Sequence, residues 1–236
     1  MNIGEAVREA TRGVWKNPWL LLPLAVALAY GALGWLLVQS SVGARLASGY
    51  TLIGSLLSPA FLAWWVGWAG EAAQGRRLRP QDMWPTLAQG AGPMYMILFI
   101  YSIGMVVLSR IFVVLAVVGA LVPLVLNPWI DFAAAGDLRL DRIQDRMREP
   151  MYWIVAATGL LFGGLALVEQ ISFLGPLSIG APTTPPLSVA TVVVYAVATW
   201  LWAVRANLLH TPGAWHNARM RRFLRDSQRR YDDEAD

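Results

Sequence analysis

Four polar residues stand where an otherwise apolar chain has few of them. Asn127 and Asp131 are spaced i, i+4, so any helix holding both puts them on one face. Arg205 and Asn207 fall in the last turns of the final apolar run. A carboxylate and a guanidinium brought together in apolar surroundings would form an ion pair. Kept apart, each would reach along its own helix to the headgroups. Asp131 and Arg205 could do either. The other residue types that support chemistry are sparse. His210 and His216 are six positions apart, neither i+3 nor i+4, and no carboxylate pair flanks them, so no metal site is expected. The chain has no cysteine, which excludes disulfides, thiolate metal sites and cysteine nucleophiles. It carries no phosphate-binding glycine loop, no HExxH and no GxSxG. No catalytic, cofactor-binding or metal-ligating residue is therefore expected, and the chain reads as a non-enzyme.

The elements that must position these residues are apolar helices. The 236 residues are 56% hydrophobic, with a mean hydropathy of +0.47 and 14% charged residues. A soluble domain carries about 25% charged residues, so this chain could not cover a soluble surface. Its apolar runs approach the roughly 20 residues that cross a hydrocarbon core. The basic residues are distributed unevenly between the runs. Of nineteen Lys and Arg, three precede the first run, three occupy the second gap, four the fourth gap, and seven lie from Arg205 onward. Only Arg45 and Arg110 fall in the other gaps. Basic residues collect on the cytosolic side of membrane proteins, so the pattern predicts six spans with both termini in the cytosol. A single lysine beside eighteen arginines points to a GC-rich, bacterial source and hence to the inner membrane.

The expected path is an all-α polytopic bundle with amphipathic surface helices on the cytosolic side. Residues 1–18 form an interfacial helix, with Ile3, Val7, Ala10 and Val14 as its apolar stripe. Asn17 caps the next helix and Pro18 takes its first position. Acidic Glu5 and Glu9 in this segment argue against a cleavable signal. The six-span domain covers 19–210, with spans near 19–38, 51–69, 93–108, 111–130, 151–168 and 187–209. Pro59 and Pro123 predict kinks. Pro80 to Trp84 could start a short interfacial helix. Arg110 marks a tight turn on the far side. One long helix there would instead carry the seven C-terminal arginines outside. Residues 137–149 form a second surface helix, capped by Asp137, faced by Leu140, Ile143 and Met147, and stopped by Pro150. Glu169 is the sole charge in the far-side loop that reaches Pro186. Residues 211–236 form a charged tail. In it Arg219, Arg221, Arg222 and Arg225 are a candidate surface for anionic lipid or a partner. Topology accounts for the basic residues, so nucleic acid is not an expected partner.

Eleven of the twelve tryptophans fall towards the cytosolic side, and only Trp35 towards the other. They read as a headgroup belt, or as an aromatic surface that docks a partner. Gly159 and Gly163, and Ala116 and Ala120, have the small-xxx-small spacing of close helix packing, more readily within the chain than between copies.

Several short features resemble a broad group of bacterial six-span proteins, which includes the membrane domain attached to some glycerophosphodiester phosphodiesterases and its stand-alone relatives. They are Ile3-Gly4-Glu5-Ala6 leading to Asn17-Pro18, Gly75-Arg76-Arg77 ahead of Asp82, Val122-Pro123, and the charged surface helix after span four. The resemblance covers nearly the whole chain. It implies a membrane bundle but no catalytic residue, and these 236 residues hold no phosphodiesterase domain. The function expected is a partner-docking or scaffold subunit. The alternative is a transporter or exporter component for a lipid or other apolar solute.

Overall fold

A computed structural model of the chain describes residues 2–39, 43–111, 127–169 and 189–209. All regular elements among them are helical. Three helical stretches are long and apolar enough to cross a membrane: Pro18–Leu37, Leu52–Ala73 and Val192–Leu209. Residues 112–126, including Ala116, Ala120 and Pro123, the loop beyond Glu169, both histidines and the arginine tail lie outside the described residues.

Helix α1 spans Ile3–Trp15 and opens with a reciprocal cap. The Glu5 N–H donates to Asn2 Oδ1 (2.8 Å) and the Asn2 N–H donates to Glu5 Oε2 (3.0 Å). Its buried line is Ala6, Ala10 and Gly13, continued by Asn17. That line is rotated from the expected stripe: Ile3 stays exposed, and Val7 and Val14 are half-buried. The helix turns its smallest residues onto protein because only they allow the backbones to touch. A Cβ built on Gly13 would stand 2.0 Å from the carbonyl oxygen of Ala72.

A 3-10 turn, Pro18–Leu20, leads into α2, Leu21–Gln39. Helix α3, Gly43–Ala73, begins earlier than the expected Thr51 and runs continuously through Pro59. It packs antiparallel on α2, where Tyr30 and Tyr50 stack at 4.4 Å and each hydroxyl donates to the other residue's carbonyl. Helix α4, Met83–Ile111, replaces three expected features. The surface helix at Pro80 is a 3-10 turn, Pro80–Asp82, running straight into α4. Pro93 lies inside the helix rather than at its start. Ser109 and Arg110 are still helical, and α4 runs to Ile111, the last residue described before residue 127. Arginine is a good helix former, and a lone charge marks a level in a membrane without breaking a helix.

The remaining described helices are α5 (127–134), α6 (Leu140–Met147), α7 (Pro150–Glu169) and α8 (Val189–Leu209). Asp137 does not cap α6. Its N–H donates to Phe132 O beside Gly136, whose φ of +70° ends α5. Gly75 (φ +79°) ends α3 by the same pattern, with the Arg76 N–H donating to Glu71 O. On α6, Ile143 is buried and Met147 packs on the core, while Leu140 is exposed.

Helices α3 and α8 form the centre and run parallel. Trp65 meets Thr199, and five residues further along Gly70 meets Ala206. Helix α4 is antiparallel to α3, since Gly67 faces Thr86 and Gly90 faces Ala63. Trp64, Trp65, Trp68 and Trp202 are buried in this centre, so four of the expected belt tryptophans are core. Chain position gives a tryptophan's depth; it does not say which side of its helix it occupies.

The Gly13–Ala72 approach is directly testable. Gly13→Ala should destabilise the protein by about 1–3 kcal/mol, the range for overpacking, read as a lower melting temperature in detergent. Gly49→Ala is the control, because nothing lies within 4 Å of its Cβ position. Equal melting temperatures for the two variants would refute the docking of α1.

Candidate functional site

The four polar residues divide between two places. Arg205 projects from α8 toward α5 and α7. Its Nε and Nη2 donate to Asp131 Oδ2 at 3.2 and 2.5 Å, Nη2 donates to the Asn127 carbonyl at 3.0 Å, and Nη1 donates to Thr158 Oγ1 at 3.2 Å. The guanidinium also lies 4.3 Å from the ring centroid of Trp202. Neither charge reaches water: the Arg205 side chain is 0% and the Asp131 side chain 1% exposed. The pair therefore forms, and the separate reach to headgroups does not occur.

Asn127 joins this junction through its backbone. Its side chain lies against Gly159, where a Cβ would come within 2.6 Å of Asn127 Nδ2. The small residue read from the GxxxG spacing thus serves packing within the chain. Asn207 is elsewhere. Two positions along a helix is about 200°, so Arg205 and Asn207 face opposite ways. Asn207 Nδ2 instead donates to Ala6 O at 3.2 Å, fastening α8 to α1. The four arginines of the candidate tail surface, Arg219, Arg221, Arg222 and Arg225, lie outside the described residues.

A second polar junction was missed in the sequence. Arg76 binds the carboxylates of Glu71 and Asp82, the latter at 2.8 Å. Asp82 also accepts from the Arg79 N–H at 2.8 Å, and its carbonyl accepts from the Thr86 hydroxyl at 2.9 Å. Asn17 sits beside this group. It makes no side-chain cap. Its Nδ2 donates to Gly13 O and to Arg76 O, both at 2.9 Å, and its Oδ1 accepts from the Leu78 N–H at 2.8 Å. One amide thus joins α1, the start of α2 and the α3–α4 connection. Two acids within six residues of Arg76, astride a glycine stop, were the available signal. In sequence, Arg76 reads as a topology residue and as part of the Gly75-Arg76-Arg77 resemblance, not as an ion-pair partner.

Tryptophan N–H groups link the helices around these junctions. Trp65 donates to Thr199 Oγ1 at 2.9 Å and stacks on Tyr195 at 5.0 Å. Trp200 donates to Thr11 Oγ1 at 2.9 Å, and Trp129 to the Tyr152 hydroxyl at 3.0 Å. Among the described residues no three His, Cys, Asp or Glu side chains gather as a metal site requires. The groups that do meet are donors facing acceptors across helix boundaries, which is the chemistry of a clasp.

No protein-family model, curated protein or solved structure matches the chain.

A buried pair is costly to break and cheap to replace. Arg205→Ala or Asp131→Ala alone should lose about 3–5 kcal/mol, seen as aggregation in detergent size-exclusion profiles. Arg205→Met combined with Asp131→Leu should recover most of the folded peak. A double variant no better than the worse single one would show that pairing is not the source of the loss.

Proposed function

We propose that the chain is a non-enzymatic, multi-pass subunit of a bacterial inner membrane, with six spans and both termini in the cytosol, that docks a partner protein on its cytosolic end. The observation that carries this reading is the construction of that end. The α1–α2 elbow, the α3–α4 connection, the end of α5 and the end of α8 meet there. Asn17, Arg76, Asn207 and Arg205 tie them together by hydrogen bonds. These segments belong to the gaps that hold seventeen of the nineteen basic residues.

The parallel run of α3 and α8 supports the six-span threading. With α3 descending to the cytosolic end, a parallel α8 needs an odd number of crossings between them. Helices α4 and α7 are two, and on this reading the third lies between Ile111 and α5. Helix α4 has the reach: Trp84 to Arg110 spans about 39 Å at 1.5 Å per residue, close to the ~40–45 Å of a bilayer with its headgroups. Arg110 then sits at the far headgroup level. The resemblance to the membrane domain of some phosphodiesterases fits the same reading.

The second reading is a transporter or exporter component for a lipid or other apolar solute. Its favouring observation is a proline inside each of the adjacent helices α3 and α4, Pro59 and Pro93. Against it stands the close packing of α3 on α1, α4 and α8.

The cysteine-free chain allows a direct test. Gln39→Cys should react with a membrane-impermeant maleimide in intact spheroplasts, and Gln81→Cys only after permeabilisation. Both positions are exposed. The reverse pattern would sink the orientation. Photo-crosslinkers placed at exposed cytosolic positions should trap one defined protein in cells, while those at Gln39 should not. Recovery of the lone chain from every position would sink the docking role.

A further inference from the structure

Three times among the described residues the chain passes from the charged side into an apolar helix, and the three passages are spelled alike. A basic residue comes first, then a proline at the start of the helix, then a tryptophan. They are Lys16-Asn17-Pro18-Trp19 before α2, Arg79-Pro80 and Trp84 at the start of α4, and Arg148-Glu149-Pro150 and Trp153 at the start of α7. Lys16, Arg79 and Arg148 are all exposed. So are the tryptophans, at 44%, 70% and 48%. Among the described residues these are three of the four exposed tryptophans, the other being Trp15 beside Lys16. The buried tryptophans lie elsewhere, in α3 and α8.

Each of the three indoles heads an exposed apolar stripe on its own helix. Below Trp19 lie Val26, Ala29, Leu33 and Leu36. Below Trp84, at i+4 and i+3 steps, lie Ala88, Gly92, Met96, Phe99 and Ile103. Below Trp153, at i+4 steps, lie Ala157 and Leu161. The three helices stand on the outside of the α3–α8 centre, and the three starts belong to one end of the bundle. Asn17 binds the segment ahead of Arg79, and Gly136, just upstream of α6 and α7, abuts Gln89 of α4.

We propose that these three passages form a collar for anionic phospholipid headgroups. Lys16, Arg79 and Arg148 engage phosphate, and Trp19, Trp84 and Trp153 seat at the boundary between headgroup and acyl chain. Charge complementarity names the headgroup, and the apolar stripes beneath name the acyl chains. A protein partner would call for one aromatic cluster; here the tryptophans are spread over three outer helices, each continuous with a lipid-facing stripe. Indoles favour this level of a bilayer, and each basic residue near the surface adds attraction for anionic lipid. The collar rests on the chain crossing a membrane and is independent of the partner-docking role.

The test uses the full chain in nanodiscs of phosphatidylcholine with about a third phosphatidylglycerol. Spin labels at Trp19→Cys, Trp84→Cys and Trp153→Cys, one at a time, report depth from collision with oxygen and with a water-soluble nickel complex. The three depths should agree within about 5 Å, at the headgroup–acyl boundary. A label in free water, as when a protein covers that residue in cells, overturns the collar, and so does one near the bilayer centre. In the second arm, Lys16→Gln, Arg79→Gln and Arg148→Gln are combined. The phosphatidylglycerol retained through detergent purification should fall about twofold or more relative to phosphatidylcholine, and Arg8→Gln with Arg12→Gln should leave it unchanged. Equal retention in both variants overturns the proposal.

Discussion

The fold depends on α3 and α8 lying side by side and pointing the same way. Helices joined by short connections pack antiparallel, as α2 does on α3 and α3 on α4. A parallel pair must be brought together by everything between its members, and here that is the chain from Gln74 to residue 188. The pairing is held at Trp65–Thr199 and at Gly70–Ala206, where a Cβ on the glycine would come within 3.2 Å of the alanine methyl. Surrounded by α1, α4, α5 and α7, α3 from Phe61 onward and α8 from Leu201 onward are buried. A polar group there can bond only to protein, and while the Nε1 groups of Trp64 and Trp68 have no hydrogen-bond partner, most others do. Arg205 finds Asp131, Asn127 and Thr158; Glu71 finds Arg76; Thr199 accepts from Trp65 and donates to Tyr195.

Charged residues in this chain divide by what surrounds them. Arg205 and Glu71 lie within the stretches Val192–Leu209 and Leu52–Ala73, and both are buried and paired. Their net contribution to stability is modest, because desolvation offsets much of their attraction. Pairs at the end of α6, such as Arg146 with Glu149 just beyond it, face solvent and contribute little.

The helical class and the apolar stretches were legible in residue types and spacing, while the Asp131–Arg205 pair was one of two open alternatives. What escaped was rotational and local. The i, i+4 spacing placed Asn127 and Asp131 on one face, but proximity in sequence joined Asn207 to Arg205, which helical geometry forbids. The tryptophans read as surface groups, a belt or a docking face, although four of them turn inward. Asn17 has the residue type and position of a cap, yet its amide is spent on three more distant backbone groups. Such a choice depends on the α3–α4 connection lying beside it, and no local pattern reports that. Charge patterning placed Arg110 at the far side of a membrane, but it carries no information on whether a helix continues through that level. The docking of α1 was hidden because alanine and glycine read as weak members of an amphipathic stripe, when their small size is what the contact requires.

The seat of α1 has a consequence for the order of events during synthesis. Its partners are Ala72 and the last turns of α8, and its bonds to α8 join residues 201 and 189 positions apart. The first helix to leave the ribosome therefore has no complete seat until the last apolar helix has been made and inserted. For most of translation its small-residue face has only half of its binding surface, and the membrane interface is the one other place that suits an amphipathic helix. The closure of α1 onto α8 is then a late latch. It reports that the full set of helices is in place, and a chain stalled before Trp200 would keep its N-terminal face open to whatever recognises unfinished membrane proteins.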